Sequence, residues 1–184
     1  MQKSIADYLE DVAHNGMECG AGLVVVEADE SDPWFRVTVA DNGPGMDEET
    51  KARAMDPFGT DPAKHPGRKV GLGLPFLAEA ARASGGEFDL RSEPGTGTSV
   101  HFAFDRRNVD APPAGDLAST WTSLMIFATG RCELAIRRTR GGRSWSVTRS
   151  ELEDAAGPLD RADALSRTGR FFRDLESDDT GSGR

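Results

Sequence analysis

The chain has no stretch approaching the ~18 consecutive apolar residues that a membrane-spanning helix requires, so no such segment is expected. Its start, Met1-Gln2-Lys3-Ser4-Ile5-Ala6-Asp7-Tyr8, turns acidic at once and lacks the apolar core of a signal peptide. The expected compartment is the cytoplasm. Cysteine is scarce: Cys19 and Cys132 are far apart in sequence, and two free, mostly buried thiols are expected rather than a disulfide. A basic surplus is also missing. Lys and Arg number 22 against 31 Asp and Glu, a formal net charge of -9, which argues against non-specific nucleic-acid binding. A local basic patch around a phosphate remains compatible with that balance. The length of 184 residues suits one medium domain, or one domain with a small appendage.

Glycine and short apolar runs organise what is present. Residues 4 to 20 read as a helix capped by Ser4, with Asp7 three residues on. Ile5, Leu9, Val12 and Cys19 fall on one face; Asp11, Asn15 and Glu18 fall on an adjacent face with His14 at its edge. Residues 23 to 28 and 34 to 40 read as antiparallel strands joined at Ser31-Asp32-Pro33. A short helix follows from Asp47 to about Arg53 or Ala54. Residues 56 to 70 read as a long exposed loop, a length that is often functional. A helix over 73 to 84 has Phe76, Leu77, Ala80 and Ala81 as its apolar side and stops at Gly85-Gly86. Strands over 87 to 91 and 99 to 104 form a hairpin about Glu93-Pro94-Gly95-Thr96-Gly97. A Pro-containing linker near 105 to 114 then divides an expected domain over 1–108 from a small α+β unit over 109–176 and a flexible tail over 177–184. In that unit a helix over 116 to 129 precedes strands over 132 to 138 and 144 to 148. Ser150 is expected to cap a short acidic helix, and a final helix runs from Asp160 or Asp163 to Leu175.

Three pieces carry chemistry. Asp41 closes a strand at the edge of Asn42-Gly43-Pro44-Gly45-Met46, and a carboxylate there can accept a hydrogen bond from an exocyclic amine such as that of adenine. Gly43 and Gly45 let backbone pass close to a flat ring. Taken alone, the same residues favour a plain Asn-Gly turn with a capping acid. Gly67, Gly71 and Gly73 precede a helix, whose free N–H groups attract phosphate. Lys64, Arg68 and Lys69 lie beside them, and could equally be solvated surface charges. This run is neither a dinucleotide fingerprint, because the strand-turn-helix order is wrong, nor a P-loop, because no Lys-Ser or Lys-Thr closes it. Asn15 offers a neutral oxygen to Mg2+, and Asp11 one turn earlier can hold or polarise a water. His14 is a proton-transfer candidate or a surface histidine, and Thr98 offers a hydroxyl.

Together these pieces resemble the ATP-binding domain shared by DNA gyrase, the large ATP-dependent heat-shock chaperone, histidine kinases and MutL, the GHKL superfamily. Leu9-Glu10-Asp11-Val12-Ala13-His14-Asn15 resembles its first box, with Asn15 at the magnesium-binding asparagine and Asp11 where the ATPases place a glutamate base. Asp41 to Met46 resembles the second box, in which Asp41 would read adenine with Gly43, Gly45 and Met46 around it. Asp56-Pro57-Phe58-Gly59-Thr60 resembles the entry to the ATP lid. Gly71-Leu72-Gly73-Leu74 resembles the closing glycine box, and Thr98 matches the threonine near the adenine. The resemblance covers about residues 4 to 104. It implies an α/β fold, a two-layer sandwich of helices on a mixed sheet (the Bergerat fold), with ATP and Mg2+ as ligands.

Departures from the pattern accompany the match. The base is aspartate, one methylene short of glutamate; Gly16 stands where alanine is usual; and Asp61-Pro62 replaces a basic lid residue, leaving that charge to Lys64, Arg68 or Lys69. The residues before position 4 leave no room for a dimerisation helix pair with a phosphoacceptor histidine, so a complete sensor kinase is not expected. The chain looks most like small stand-alone ATP-binding proteins of anaerobic bacteria, some encoded near iron-only hydrogenases. The resemblance implies an ATP-Mg2+ binding protein that hydrolyses ATP slowly with Asp11 as catalytic group, or uses it as a switch. The alternatives are a serine or histidine protein kinase acting in trans and a non-hydrolysing, nucleotide-gated binding module. A protein partner is expected beside ATP or ADP, with no nucleic acid and no membrane; the sequence does not fix oligomeric state.

Overall fold

A computed structural model describes residues 3–57, 73–128, 132–161 and 163–177. The elements run α1 (Ile5–Glu18), β1 (Leu23–Ser31), β2 (Trp34–Asp41), α2 (Glu48–Ala54), α3 (Gly73–Ala83), β3 (Glu87–Glu93), β4 (Gly97–Asp105), α4 (Leu117–Phe127), β5 (Glu133–Arg140), β6 (Arg143–Thr148), α5 (Arg149–Ala156) and α6 (Ala164–Ser177).

Six strands form one sheet in the order β3-β4-β2-β1-β5-β6. Neighbours are antiparallel except β1 and β5, which run parallel with Val26 opposite Ile136. Strand periodicity then sorts the side chains into two faces. One row crosses the whole sheet as Leu90, Val100, Val39, Val26, Ile136 and Val147. Its four central members are at most 3% exposed, and each buried Val or Ile contributes roughly 1.5–3 kcal/mol. The helices cover this face: Leu9, Val12, Leu77, Trp121, Leu124 and Phe172 join the same core. The result is the two-layer α/β sandwich with a mixed sheet that the sequence predicts.

Residues 109–176, expected as a small α+β unit, supply α4, β5, β6, α5 and most of α6. Their strands continue the sheet across the β1 edge, and the only parallel pair among the described strands arises there. The junction is ionic as well as apolar. Arg138 lies on the core face of β5, 1% exposed. It donates to Glu30 of β1, to Glu176 of α6 at 3.3 Å and to its neighbour's carbonyl, Thr139 O, at 2.8 Å. Trp121 Nε1 donates to the same Glu176 at 2.9 Å. Burying an arginine requires this degree of pairing.

Local chemistry sets the helix ends. Asp7 N–H donates to Ser4 Oγ at 3.2 Å while Ser4 N–H donates to the Asp7 carboxylate at 2.7 Å, a reciprocal cap worth about 1 kcal/mol. Hydrogen bonds from the Ser4 backbone and hydroxyl hold the Asp7 carboxyl below its usual range. Three expectations are corrected. Cys19 does not extend the buried stripe of α1; the helix ends at Glu18 and Cys19 is its exposed C-cap. Phe76 is 52% exposed, because α3 buries Pro75, Leu77, Ala78 and Ala81 instead. Thr148, not Ser150, caps α5, since only Thr148 makes the reciprocal pair with Glu151. The tail expected from 177 lies outside the described residues except for Ser177, which ends α6. No helix among the described residues is long and apolar enough to cross a membrane.

Candidate functional site

The end of β2 is built around Asp41. Its register partner is Thr98 on β4, and its Oδ1 accepts from Gly43 N–H at 2.8 Å. Burial pushes the Asp41 carboxyl above the ordinary range; hydrogen bonds from the Gly43 and Thr98 backbone and the Cys19 thiol oppose that shift. The Cys19 sulfur lies 3.9 Å from Oδ1, and burial followed by the Asp41 charge raises its own pKa. A half-buried carboxylate held in this way is suited to receive a further donor from a ligand, since its two oxygens offer about four acceptor positions.

The turn after Asp41 is fastened to its surroundings. Asn42 Oδ1 accepts from Leu23 N–H at 2.8 Å, Met46 N–H donates to Ser92 Oγ at 2.8 Å, and Gly95 N–H donates to Pro44 O at 2.7 Å. Two glycines allow this closeness. A Cβ on Gly43 would stand 2.5 Å from Cys19 Sγ, and one on Gly45, whose φ is +66°, would stand 1.9 Å from Glu93 O. The Ser92 hydroxyl also reaches Gly97 O at 3.0 Å and Thr98 Oγ1 at 2.9 Å. It therefore braces both the Met46 backbone and the threonine proposed to meet adenine.

Helix α1 connects this end to the other two pieces. Gly16 packs on Asp41: a Cβ there would be 3.2 Å from Asp41 Cβ. Five residues earlier, about 7.5 Å along the helix, Asp11 faces the start of α3, where a Cβ on Gly73 would lie 3.6 Å from Asp11 Oδ2. Asn15 sits one turn from Asp11, exposed, with a carboxamide that makes no hydrogen bond to another described residue. Asp11 instead forms an ion pair with Lys3. The structure thus brings together Asp11, Asn15, Asp41, Gly43, Gly45, Met46, Gly73, Leu74 and Thr98 along α1 and the ends of β2 and β4. The proposed contacts Phe58, Lys64, Arg68, Lys69, Gly71 and Leu72 lie outside the described residues.

His14 points away from this line and packs on Phe127, with ring centroids 4.2 Å apart. Sequence reading missed Lys3, Ser92 and the reason for Gly16. Only Ser92 carried a local signal, a small polar residue before the hairpin turn.

Mg2+ fits this donor set in one way. Among the described residues no group of three or more His, Cys, Asp or Glu could enclose a metal ion. Mg2+, however, commonly takes one or two protein oxygens and completes its shell with phosphate and water. The carboxamide of Asn15, which has no hydrogen-bond partner among the described residues, offers such an oxygen.

The sequence pattern of the family described as histidine kinase-, DNA gyrase B- and HSP90-like ATPase matches residues 3–108. A protein of Shewanella frigidimarina named "Putative sensor protein" is 29% identical over 92 residues, which is 50% of this chain but only 14% of that protein. Among solved structures, the catalytic domain of the histidine kinase ThkA is 22% identical with a TM-score of 0.40, covering 54% of this chain and 62% of that one. The histidine kinase domain of a blue-light activated histidine kinase of Erythrobacter litoralis is also 22% identical. Its TM-score is 0.31, and the match covers 47% of this chain and 34% of that one. The chain belongs to the histidine kinase-, DNA gyrase B- and HSP90-like ATPase family, and that membership implies ATP binding.

Proposed function

We propose that this protein binds ATP with Mg2+ along α1, and either hydrolyses it slowly or uses it as a conformational switch. The observation that carries this reading is the double contact of α1: Gly16 against Asp41 near its C-terminus and Asp11 against Gly73 at its middle. Adenine would meet the Asp41 carboxylate, beside Gly43, Gly45, Met46 and Thr98. The phosphates would lie toward Asn15 and the N-terminus of α3, whose free N–H groups favour negative charge. Mg2+ bound with the nucleotide would supply charge neutralisation at the phosphates. Asp11 would orient water, and its short side chain favours slow turnover, since proton abstraction needs contact within about 3 Å or one bridging water.

A switch is favoured by a separate observation. Ser123 Oγ of α4 donates to Glu10 Oε1 at 2.5 Å, and Phe127 of α4 packs on His14. Residues 109–177 therefore grip the helix that carries Asp11 and Asn15, so a change at the nucleotide has a route to the far side of α1. The likeness to small stand-alone ATP-binding proteins of anaerobic bacteria belongs to this reading and rests on sequence alone.

Calorimetric titration with Mg-ATP and Mg-ADP tests the binding, run beside Asn15→Ala. Binding in the micromolar to millimolar range, weakened at least tenfold by the substitution, supports the reading; no heat near millimolar nucleotide overturns it. Phosphate release in the same preparation separates turnover from switching. Transfer of labelled phosphate to a protein in cell extract would instead identify a kinase acting in trans.

A further inference from the structure

Lys3 lies outside the motif boxes, one residue before the Ser4 cap. Its ammonium group pairs with the Asp11 carboxylate and lies 5.4 Å from the Tyr8 ring centroid. The Ser4 cap anchors the backbone beside it, so the lysine stem folds back over the first two turns of α1. That puts a cation next to Asp11, at the middle of α1, about 7.5 Å along the helix from the Gly16 contact with Asp41 and beside the start of α3. A nucleotide whose base lies on Asp41 would direct its terminal phosphate toward this point.

The pair itself is weak. Its side chains are 43% and 45% exposed, and an ion pair so placed contributes little. A polyphosphate carries more charge than one carboxylate and several strong acceptor oxygens, so it competes well for the ammonium group. Exchange of partners would leave Asp11 without its counter-ion and free to hold water.

We infer that Lys3 is a ligand of the terminal phosphate, held in reserve on Asp11 and transferred to the nucleotide on binding. This rests on the proposed ATP site and adds to it a residue selective for nucleotide charge.

The test compares the affinities of the full chain for Mg-ATP and for AMP, the latter by displacement of a fluorescent adenine nucleotide, in wild type, Lys3→Gln and Lys3→Arg. The expected result is a loss of about tenfold or more for Mg-ATP in Lys3→Gln, AMP affinity within about twofold of wild type, and substantial recovery in Lys3→Arg. Unchanged Mg-ATP affinity, or equal losses for both nucleotides, overturns the role of Lys3 while leaving the ATP site standing. A wild-type protein that binds neither nucleotide overturns both.

Discussion

A methyl group added to Gly16 would stand 3.2 Å from the Cβ of Asp41, 3.4 Å from its Oδ2 and 3.3 Å from a methyl carbon of Val24. The glycine of α1 and the acid of β2 are thus in direct packing contact. Gly16→Ala gains about 1 kcal/mol in helix propensity and loses a similar amount by crowding a packed site. The stability change should stay within about 1 kcal/mol. Asp41 has to yield by a few tenths of an ångström, and adenine nucleotide affinity should fall several-fold. Urea melts and calorimetry on one preparation check both halves. Unchanged affinity with a raised melting temperature would show that Asp41 does not depend on this glycine.

Asp41→Asn should separate stability from binding. Burial raises the Asp41 carboxyl above its ordinary range. An acid with a raised folded pKa favours the fold below its unfolded value, and that contribution is lost as pH rises through the folded value. At neutral pH the ionised Asp41 therefore works against folding. The uncharged amide should raise the unfolding temperature of the nucleotide-free protein by about 2 °C for each kcal/mol recovered. Nucleotide affinity should fall about ten- to a hundredfold, because a charged acceptor is replaced by a neutral one. In the wild type, binding runs opposite to stability: it is lost as pH falls through the raised value, earlier than for a surface aspartate. A pH titration of affinity that stays flat until the ordinary aspartate range would contradict this.

The parts of the site written in short windows were legible in the sequence. The Ser4 cap, the Asp41-to-Met46 turn, the start of α3 at Gly73 and the hairpin about Gly95 each depend on residues within a few positions, so pattern and propensity suffice. Contacts that cross the chain were not. The parallel pairing of β1 with β5 joins residues more than a hundred positions apart, and nothing in either strand names its neighbour. Lys3 reached Asp11 only because the helix cap fixes where its stem starts. Arg138 is an intermediate case. It continues the period-two pattern of Leu134 and Ile136, and so belongs on the core face, but its acidic partners come from β1 and α6. Cys19 fits the α1 stripe by periodicity alone, which does not reveal that the helix stops one residue earlier.

Arg138 leads to a prediction about the junction of residues 109–177 with the rest. It is 1% exposed and paired with Glu30 and Glu176. Arg138→Ala would leave Glu176, itself only 13% exposed, with the more distant Arg140 at 3.9 Å as its remaining cation. Glu30 keeps Arg106 at 2.6 Å and Arg140 at 3.4 Å. The expected destabilisation is about 3 kcal/mol, measured by urea denaturation. Arg138→Met combined with Glu176→Gln should recover much of it, because removing both charges of a buried pair is far less harmful than removing one. A double variant as unstable as Arg138→Ala would mean that the lost packing over Phe35, 5.3 Å from the guanidinium, matters more than the charge.

Gly97 and Gly95 offer a sharper contrast within one turn. Both have positive φ, +112° and +79°, a conformation that L side chains adopt at a penalty of about 1–2 kcal/mol. The space around them differs. A Cβ on Gly95 meets nothing within 4 Å, whereas one on Gly97 would lie 2.0 Å from Asp41 O and 3.0 Å from Asn42 Cα. Those atoms are backbone and cannot rotate aside. Gly95→Ala should therefore lower stability by about 1 kcal/mol and leave nucleotide binding intact. Gly97→Ala must push β4 off the end of β2, which moves Thr98 away from Asp41. Its destabilisation should exceed about 3 kcal/mol, with nucleotide affinity lost in whatever fraction remains folded. Thermal melts rank the two variants, and near-equal melting temperatures would mean that the β2–β4 contact at Asp41 is looser than this packing requires.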